Sequence, residues 1–138
     1  IMNGKKISQI NIGDKASTQR TISESDVYLY AGITGDLNPA HIDEETSKNS
    51  MFKGRIAHGM LTAGLISGVL GMQLPGPGTI YLSQELKFTA PVKFGDTIKA
   101  EVEVVEIIKE KIVKLKTTCT NQEGTIVLEG HATVMPPK

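Results

Sequence analysis

Hydrophobic residues follow two different spacings along the chain, and the change falls near residue 78. After it, apolar and polar residues alternate in segments 80–88, 98–104, 113–119 and 126–134. A spacing of two places all apolar side chains on one face of a β-strand. Four half-buried strands are therefore predicted, with residues 122–124 as the hairpin turn between the last two. The predicted buried face of the first strand is Ile80, Leu82, Leu86 and Phe88.

The segment from Ile56 to Leu74 carries no charged residue. A helix that is apolar all round is expected to be buried on every side. Its length approaches that of a membrane span, but its internal glycines and polar residues make it a poor lipid-facing segment. We therefore predict a buried central helix, no membrane partner, and an α+β fold in which a curved antiparallel sheet wraps around that helix. Residues 1–138 are predicted to form one domain.

The first half of the chain contains signals for shorter elements. Residues 7–22 predict an opening turn and a short strand. Ser23 is suited to cap a helix, with Asp26 three residues later, and that helix should end at Gly35. Residues 34–41 have the composition of a loop, and Asp43 is placed to cap a short helix over residues 44–46.

Composition excludes several classes of protein. Lys and Arg together number 15, as do Asp and Glu, and aromatic residues make up 4% of the chain. This balance predicts no basic face and too few stacking rings for a nucleic-acid partner, while a net charge of zero favours self-association. The lone cysteine, Cys119, is predicted to be a buried small hydrophobe, and the polar N-terminus contains no apolar signal segment. We therefore expect a cytoplasmic protein.

Asp36 and His41 are the first candidates for chemistry. They lie five residues apart, and Asn38-Pro39 between them stiffens the loop. A stiff loop that presents a carboxylate and an imidazole could hold an acid and a base at a fixed separation. An ordinary Asp-Asn-Pro turn beside a surface histidine accounts for the same residues, so the spacing alone leaves both interpretations open.

Gly59 lies near the start of the predicted central helix. Backbone N–H groups there lack internal partners, and a glycine lets a ligand oxygen approach, so an oxyanion site is possible; a close helix–sheet contact would equally require a glycine. Ser67, further along, would ordinarily bond to the carbonyl one turn back. Three scattered histidines and one cysteine give no usual metal-ligand spacing, so no metal site is predicted.

Three motifs in order along the chain resemble those of the MaoC-like (R)-specific enoyl-CoA hydratases. They are residues 30–41 (YAGITGDLNPAH), residues 55–61 (RIAHGML), and residues 88–92 (FTAPV) followed by Gly95-Asp96. The resemblance implies a hot-dog fold, a homodimer or higher homo-oligomer, and hydration of trans-2-enoyl-CoA to (R)-3-hydroxyacyl-CoA. It implies no cofactor and no metal. It also implies that the functional residues are Asp36 and His41 for catalysis, Gly59 for the thioester carbonyl, Asn38 for loop support and Ser67 in the active site.

Under this hypothesis His41 acts as the base and Asp36 as the acid. Three alternatives stay open. A dehydratase of acyl-carrier-protein thioesters would need a basic patch, which Lys48, Lys53 and Arg55 could supply. A thioesterase would cleave the thioester instead, and a non-catalytic module would only bind it. The Asp36/His41 loop argues against the last two.

Overall fold

The computed structural model describes residues 3–138. Its elements are a 3-10 turn at Ile7–Gln9, β1 (Lys15–Thr21), α1 (Glu24–Thr34), α2 (Pro39–Ile42), α3 (Glu44–Ser47), α4 (Gly59–Met72), β2 (Ile80–Phe88), β3 (Thr97–Ile108), β4 (Ile112–Thr120) and β5 (Ile126–Met135). The five strands form one antiparallel sheet in the order β1-β3-β4-β5-β2. The α+β architecture and all five predicted strands are confirmed.

The ends of α1 follow the predicted capping signals. The Ser23 hydroxyl accepts from the backbone N–H of Asp26 at 3.1 Å, and the Asp26 carboxylate accepts from the N–H of Ser23 at 3.0 Å. At the other end Gly35 adopts a left-handed φ of 79°. The Asp43 carboxylate caps α3 by accepting from the N–H of Thr46 at 3.1 Å. Local hydrogen bonding therefore sets where these helices begin.

The core lies between α4 and the concave face of the sheet. Helix α4 packs against β1, β3 and β4, as the wrapped-sheet prediction requires. Its buried apolar residues, among them Ile66, Val69 and Leu70, meet the inward residues of β3 and β4. Cys119 is fully buried in this core, and burial raises the pKa of its thiol to about 12, which confirms the prediction of an inert small hydrophobe.

Helix α4 differs from its prediction in length and in burial. It spans Gly59–Met72 rather than Ile56–Leu74, and it is not buried on every side. Met60 and Met72 are each more than half exposed, and Gly64, Ser67 and Gly68 between them are exposed too. The helix is uncharged, as the sequence shows, but in a single chain only one of its faces meets the sheet.

Strand β2 also departs from its predicted burial. Ile80, Leu82 and Phe88 are each about half exposed, and only Leu86 of the predicted face packs against the core. The register with β5 shifts between Tyr81 and Ser83, which breaks the simple alternation. The physical reason is position, since β2 is an edge strand that lies beyond β5, away from the strands that α4 covers.

Across residues 3–138 the longest apolar helix falls short of what a membrane crossing requires.

Candidate active site

The segment between α1 and α3 is more ordered than the predicted loop. Helix α1 ends at Gly35, Asp36 follows at once, and a single helical turn, α2, begins at Pro39. The Asn38 side chain caps that turn by accepting from the N–H of Ala40 at 3.0 Å. Proline is well suited to the first position of a helix because it lacks the N–H that would have no partner there. The turn places His41 on α2 and Asp36 just before it.

A cavity of about 500 Å³ lies between α2, the N-terminus of α4 and the sheet. Asp36, His41 and Gly59 all line it, so three of the five predicted site residues meet in one place. Most of the remaining wall is apolar or aromatic. It comprises Tyr30, Phe52, Ile56, Ala57, His58, Met60, Thr62, Phe88, Thr89, Ala90, Pro91, Val92, Val127 and Leu128.

Asn38 and Ser67 are not among the residues that line this cavity. The Asn38 amide is engaged in capping α2, which agrees with a supporting position. Ser67 lies on the exposed face of α4, beside a second groove shared with β2. Within one chain the structure therefore does not bring Ser67 to Asp36 and His41, and its place in the site remains a prediction.

The main chain selects the tautomer of His41. Its Nδ1 lies 2.7 Å from the carbonyl oxygen of Ile56. A carbonyl can only accept, so Nδ1 carries the proton and donates. In the neutral ring the lone pair is then on Nε2, which is the state a general base requires. Ile56 is itself held in place, because its N–H donates to Ala40 at 3.1 Å.

His58 also lines the cavity, although it was not among the predicted site residues. It is 2% exposed, and its ring stacks on that of His41 with centroids 3.8 Å apart and 27° between the planes. Its Nε2 donates to the backbone carbonyl of Asp36 at 2.9 Å. Sequence reasoning counted His58 as one of three scattered histidines. Its position directly before Gly59 was the available signal, because the start of α4 faces the Asp36 loop.

Gly59 is the first residue of α4, and its N–H belongs to the group that has no intrahelical partner. A Cβ at this position would lie 2.7 Å from the Phe88 ring, which leaves no room for a side chain. Glycine therefore keeps both the N–H and the cavity accessible.

Asp36, His41 and His58 also form a group of metal-ligand types. One ligand atom from each lies within 4.8 Å of the others. The rings of His41 and His58 are stacked, however, which directs their in-plane lone pairs side by side rather than towards a common point. This is a poor arrangement for a tetrahedral zinc site, so the group is better suited to acid–base chemistry.

The proposed basic patch is largely neutralised by carboxylates. Arg55 forms ion pairs with Glu24 at 2.9 Å and with Glu44 at 2.8 Å, and Lys48 pairs with Glu45. The Arg55 guanidinium also lies 4.9 Å from the centre of the Phe94 ring. Arg55 therefore ties α1 to α3 and is not available as a free cation for a carrier protein. Lys53 is exposed.

The model of the MaoC-like domain family matches residues 8–125. The chain belongs to this family. It is 56% identical over 129 residues to an (R)-specific enoyl-CoA hydratase of Rhodospirillum rubrum, covering 93% of this chain and 89% of that protein. It is 42% identical to the mitochondrial 3-hydroxyacyl-[acyl-carrier-protein] dehydratase FERN of Solanum lycopersicum, covering 93% and 78% of the two chains.

Among solved structures, the unliganded R-hydratase PhaJ1 of Pseudomonas aeruginosa superimposes with a TM-score of 0.93 at 44% identity. The match covers 98% of this chain and 87% of that one. The family resemblance and the hot-dog fold inferred from three sequence motifs are thereby confirmed.

Proposed function

We propose that this MaoC-like protein is an (R)-specific enoyl-CoA hydratase. It would add water reversibly to trans-2-enoyl-CoA and form (R)-3-hydroxyacyl-CoA. The observation that carries the proposal is the meeting of Asp36, His41 and Gly59 in one mainly apolar cavity. The R. rubrum relative named for this activity supports it.

The reaction forms a C3–oxygen bond and moves the π electrons of the conjugated thioester towards C2 and the carbonyl. Asp36 and His41 would hold the water between them. His41 Nε2 is the base that removes a proton from this water, and Asp36 is the acid that protonates C2. Transfer of a proton from His41 to Asp36 then restores the starting state.

The thioester carbonyl oxygen gathers negative charge during this addition. The Gly59 N–H, at the positive end of the α4 dipole, is the group that would donate to it. The apolar wall around the cavity lowers the local dielectric constant and strengthens that hydrogen bond. No step of this scheme uses a cofactor.

Hydration is tested by mixing the protein with crotonyl-CoA and following the absorbance of the conjugated enoyl thioester. Loss of absorbance without free thiol is expected. Release of free thiol would identify a thioesterase, and an unchanged spectrum would identify a binding module.

The proposed acid–base pair is tested with Asp36→Asn and His41→Ala. Each is expected to lower kcat by about 10²–10⁴-fold, the typical contribution of a positioned acid or base. Circular dichroism of each variant checks that it has folded. Near-normal turnover by folded His41→Ala would remove the mechanism.

We propose CoA rather than acyl carrier protein as the carrier, because Arg55 and Lys48 are paired with carboxylates. The tomato relative is the reason to test the other carrier. Crotonyl-CoA and crotonyl-acyl-carrier protein should be compared at equal concentration. A kcat/KM at least tenfold higher for the protein-linked substrate would reverse the assignment.

We further propose a homodimer formed through β2 and the exposed face of α4. Within residues 3–138, β2 pairs on one side only, with β5, and it carries half-exposed Ile80 and Leu82. The neighbouring face of α4 is uncharged, with small residues at Gly64 and Ser67 that allow close approach. A two-fold axis beside β2 would extend the sheet across both copies and cover this surface.

We make two further proposals, on domain organisation and on location. The whole chain, residues 1–138, acts as a single MaoC-like domain. It works in the cytoplasm, where a reducing environment suits the unpaired Cys119.

A further inference from the structure

His58 contacts both members of the proposed acid–base pair and belongs to neither. We propose that His58 is a positioning residue, which holds the Asp36 main chain and the His41 ring in the relation that the reaction requires. This inference rests on the proposed function. It starts from two contacts, the hydrogen bond from Nε2 to the Asp36 carbonyl at 2.9 Å and the stack on His41 at 3.8 Å.

The hydrogen bond from His58 links Asp36 to a distant part of the chain, whereas the other hydrogen bonds of residues 35–38 are to sequence neighbours. Asp36 is exposed, and its N–H and carboxylate bond only to neighbours, Thr34 at 3.2 Å and Asn38 at 3.3 Å. Among the hydrogen bonds of residues 3–138, the His58 bond is the one that joins residues 35–38 to a segment distant in sequence. Without it, residues 35–38 would be held only by hydrogen bonds within α1, α2 and the segment between them.

The two histidines are set in opposite tautomers. His58 donates through Nε2, whereas His41 donates through Nδ1 to Ile56. The remaining nitrogen of His58, Nδ1, is buried without a hydrogen-bond partner among the described residues. A proton there would create a second cation against the His41 ring, so the neutral form is the one that allows His41 to accept a proton. The titratable groups that face His58 are Tyr30, Asp36 and His41.

A purely structural role in the helix does not explain the burial of this side chain. His58 occupies the N-cap position of α4, but its side chain makes no capping hydrogen bond. The ring turns instead towards the cavity, between Tyr30 and His41, with centroid distances of 4.8 and 3.8 Å. Its polar atom is therefore used to hold the loop and not to satisfy the helix.

Two substitutions separate the donor from the ring. His58→Gln keeps an N–H donor of similar reach and loses the ring, whereas His58→Phe keeps a stacking ring and loses the donor. We expect His58→Phe to lower kcat on crotonyl-CoA by about 100-fold, with KM within threefold of wild type, because a misplacement of about 1 Å can cost that much in rate. His58→Gln should recover part of the loss. If both folded variants keep kcat within threefold of wild type, or if only KM rises, the proposal is wrong.

Thr117→Val is the matched control for disturbing a buried polar group. Thr117 is fully buried in β4, is bonded to the Gln84 side chain at 2.9 Å, and does not line the cavity. We expect it to lower the melting temperature and leave kcat unchanged. An equal loss of kcat in Thr117→Val would show that general destabilisation explains the His58 variants.

A measurement without substrate keeps the two proposals apart. Long-range ¹H–¹⁵N spectra of the wild-type protein should show His58 as the Nε2–H tautomer and His41 as the Nδ1–H tautomer. Amide exchange at Leu37 and Asn38 should accelerate in His58→Phe and much less in His58→Gln. A doubly protonated His58, or unchanged exchange in His58→Phe, overturns the positioning role even if hydration is observed. Absence of hydration with these signatures intact overturns the proposed function alone.

Discussion

Gly59 shows how one missing side chain can keep a reaction site open. The ring of Phe88 occupies the space into which a Cβ would project, with a contact of 2.7 Å. Phe88 is half exposed and lines the cavity that Gly59 and His41 share, so any shift of its ring would change the shape of that cavity. Substitution here should therefore affect function more than stability.

We predict that Gly59→Ala lowers kcat/KM for crotonyl-CoA by about 10²-fold, because the clash with Phe88 would disturb access to the Gly59 N–H, and losing one oxyanion donor costs on this scale. The melting temperature should change little. Adding Phe88→Leu to Gly59→Ala makes room for the new methyl group and should restore part of the activity. Steady-state kinetics on the single and double variants measure this.

Gly32→Ala is the control. Gly32 lies inside α1, and a Cβ there would meet nothing within 4 Å. Alanine is the better helix former by about 1 kcal/mol, so this variant should be more stable and equally active. If Gly32→Ala and Gly59→Ala lose activity together, the contact with Phe88 is not the cause.

At this scale the sequence allowed some roles to be predicted and not others. Asp36 and His41 lie five residues apart, and their motif indicates a shared role. His58 is 17 residues from His41, so its stack on that ring depends on how α4 meets α2. Local spacing does not contain that information. Ser67 matches a position in the family motif, yet it lies on the face of α4 that is exposed in a single chain.

Helix α1 illustrates an element whose stability depends on charge. The Asp26 carboxylate accepts from the N–H of the N-cap residue Ser23 and pairs with Arg20 at 2.7 Å. Hydrogen bonds from the Arg20 side chain and from the Ser23 N–H lower the pKa of Asp26 to about 2. Because the folded value lies below the ordinary one near 3.8, this group stabilises the protein above pH 4, and the contribution is lost as the pH falls towards 2.

We predict that Asp26→Asn lowers the free energy of unfolding by about 1 kcal/mol at pH 7, the usual size of a capping contribution. The difference from wild type should shrink as the pH falls below 4 and vanish only below pH 2, where Asp26 becomes protonated in the folded state as well. Urea unfolding of both proteins across this range provides the measurement. A difference that stays constant with pH would mean that the carboxylate charge is not the source.

Elements were predictable where their signals are local. Ser23 with Asp26, Gly35 and Asp43 mark helix ends through hydrogen bonds within a few residues, and the structure has each of them. The burial of α4 was not predictable in this way. An uncharged helix indicates that both of its faces can be buried. Composition does not show whether residues of the same chain or of a second copy pack on each face.

The whole molecule leaves one edge strand and one helix face uncovered. We predict that the wild-type protein sediments with twice the 14.9 kDa mass of one chain at micromolar concentration. Leu82→Lys places a charge at a half-exposed position of β2 and should yield monomers. A wild-type monomer would contradict the proposed interface.

Ile12→Lys is the matched control for that substitution. Ile12 is 67% exposed, but it precedes β1, at the opposite edge of the sheet from β2. Like Leu82→Lys, the Ile12→Lys substitution replaces a large apolar side chain by a lysine. It should leave the dimer intact. Loss of the dimer in Ile12→Lys as well would place the contact elsewhere or indicate a general effect of charge.

The order of the strands in the sheet could not be predicted from the sequence either. Alternation identifies each strand, but the order β1-β3-β4-β5-β2 depends on which pairings best cover α4. Nothing in residues 80–88 marks them as an edge strand, because their apolar and polar residues alternate as in the other predicted strands.

The carbonyl of Ile56 holds the His41 ring through the main chain, and this has a consequence for how such a protein can diverge. A backbone acceptor is present whatever side chain stands at position 56, so the ring keeps its tautomer when that residue changes. The same holds for Asp36, whose carbonyl is the atom that His58 binds. Wall residues such as Phe52 and Val127 can therefore vary in size and alter which acyl groups fit, while the hydrogen bonds that hold His41 and Asp36 stay the same.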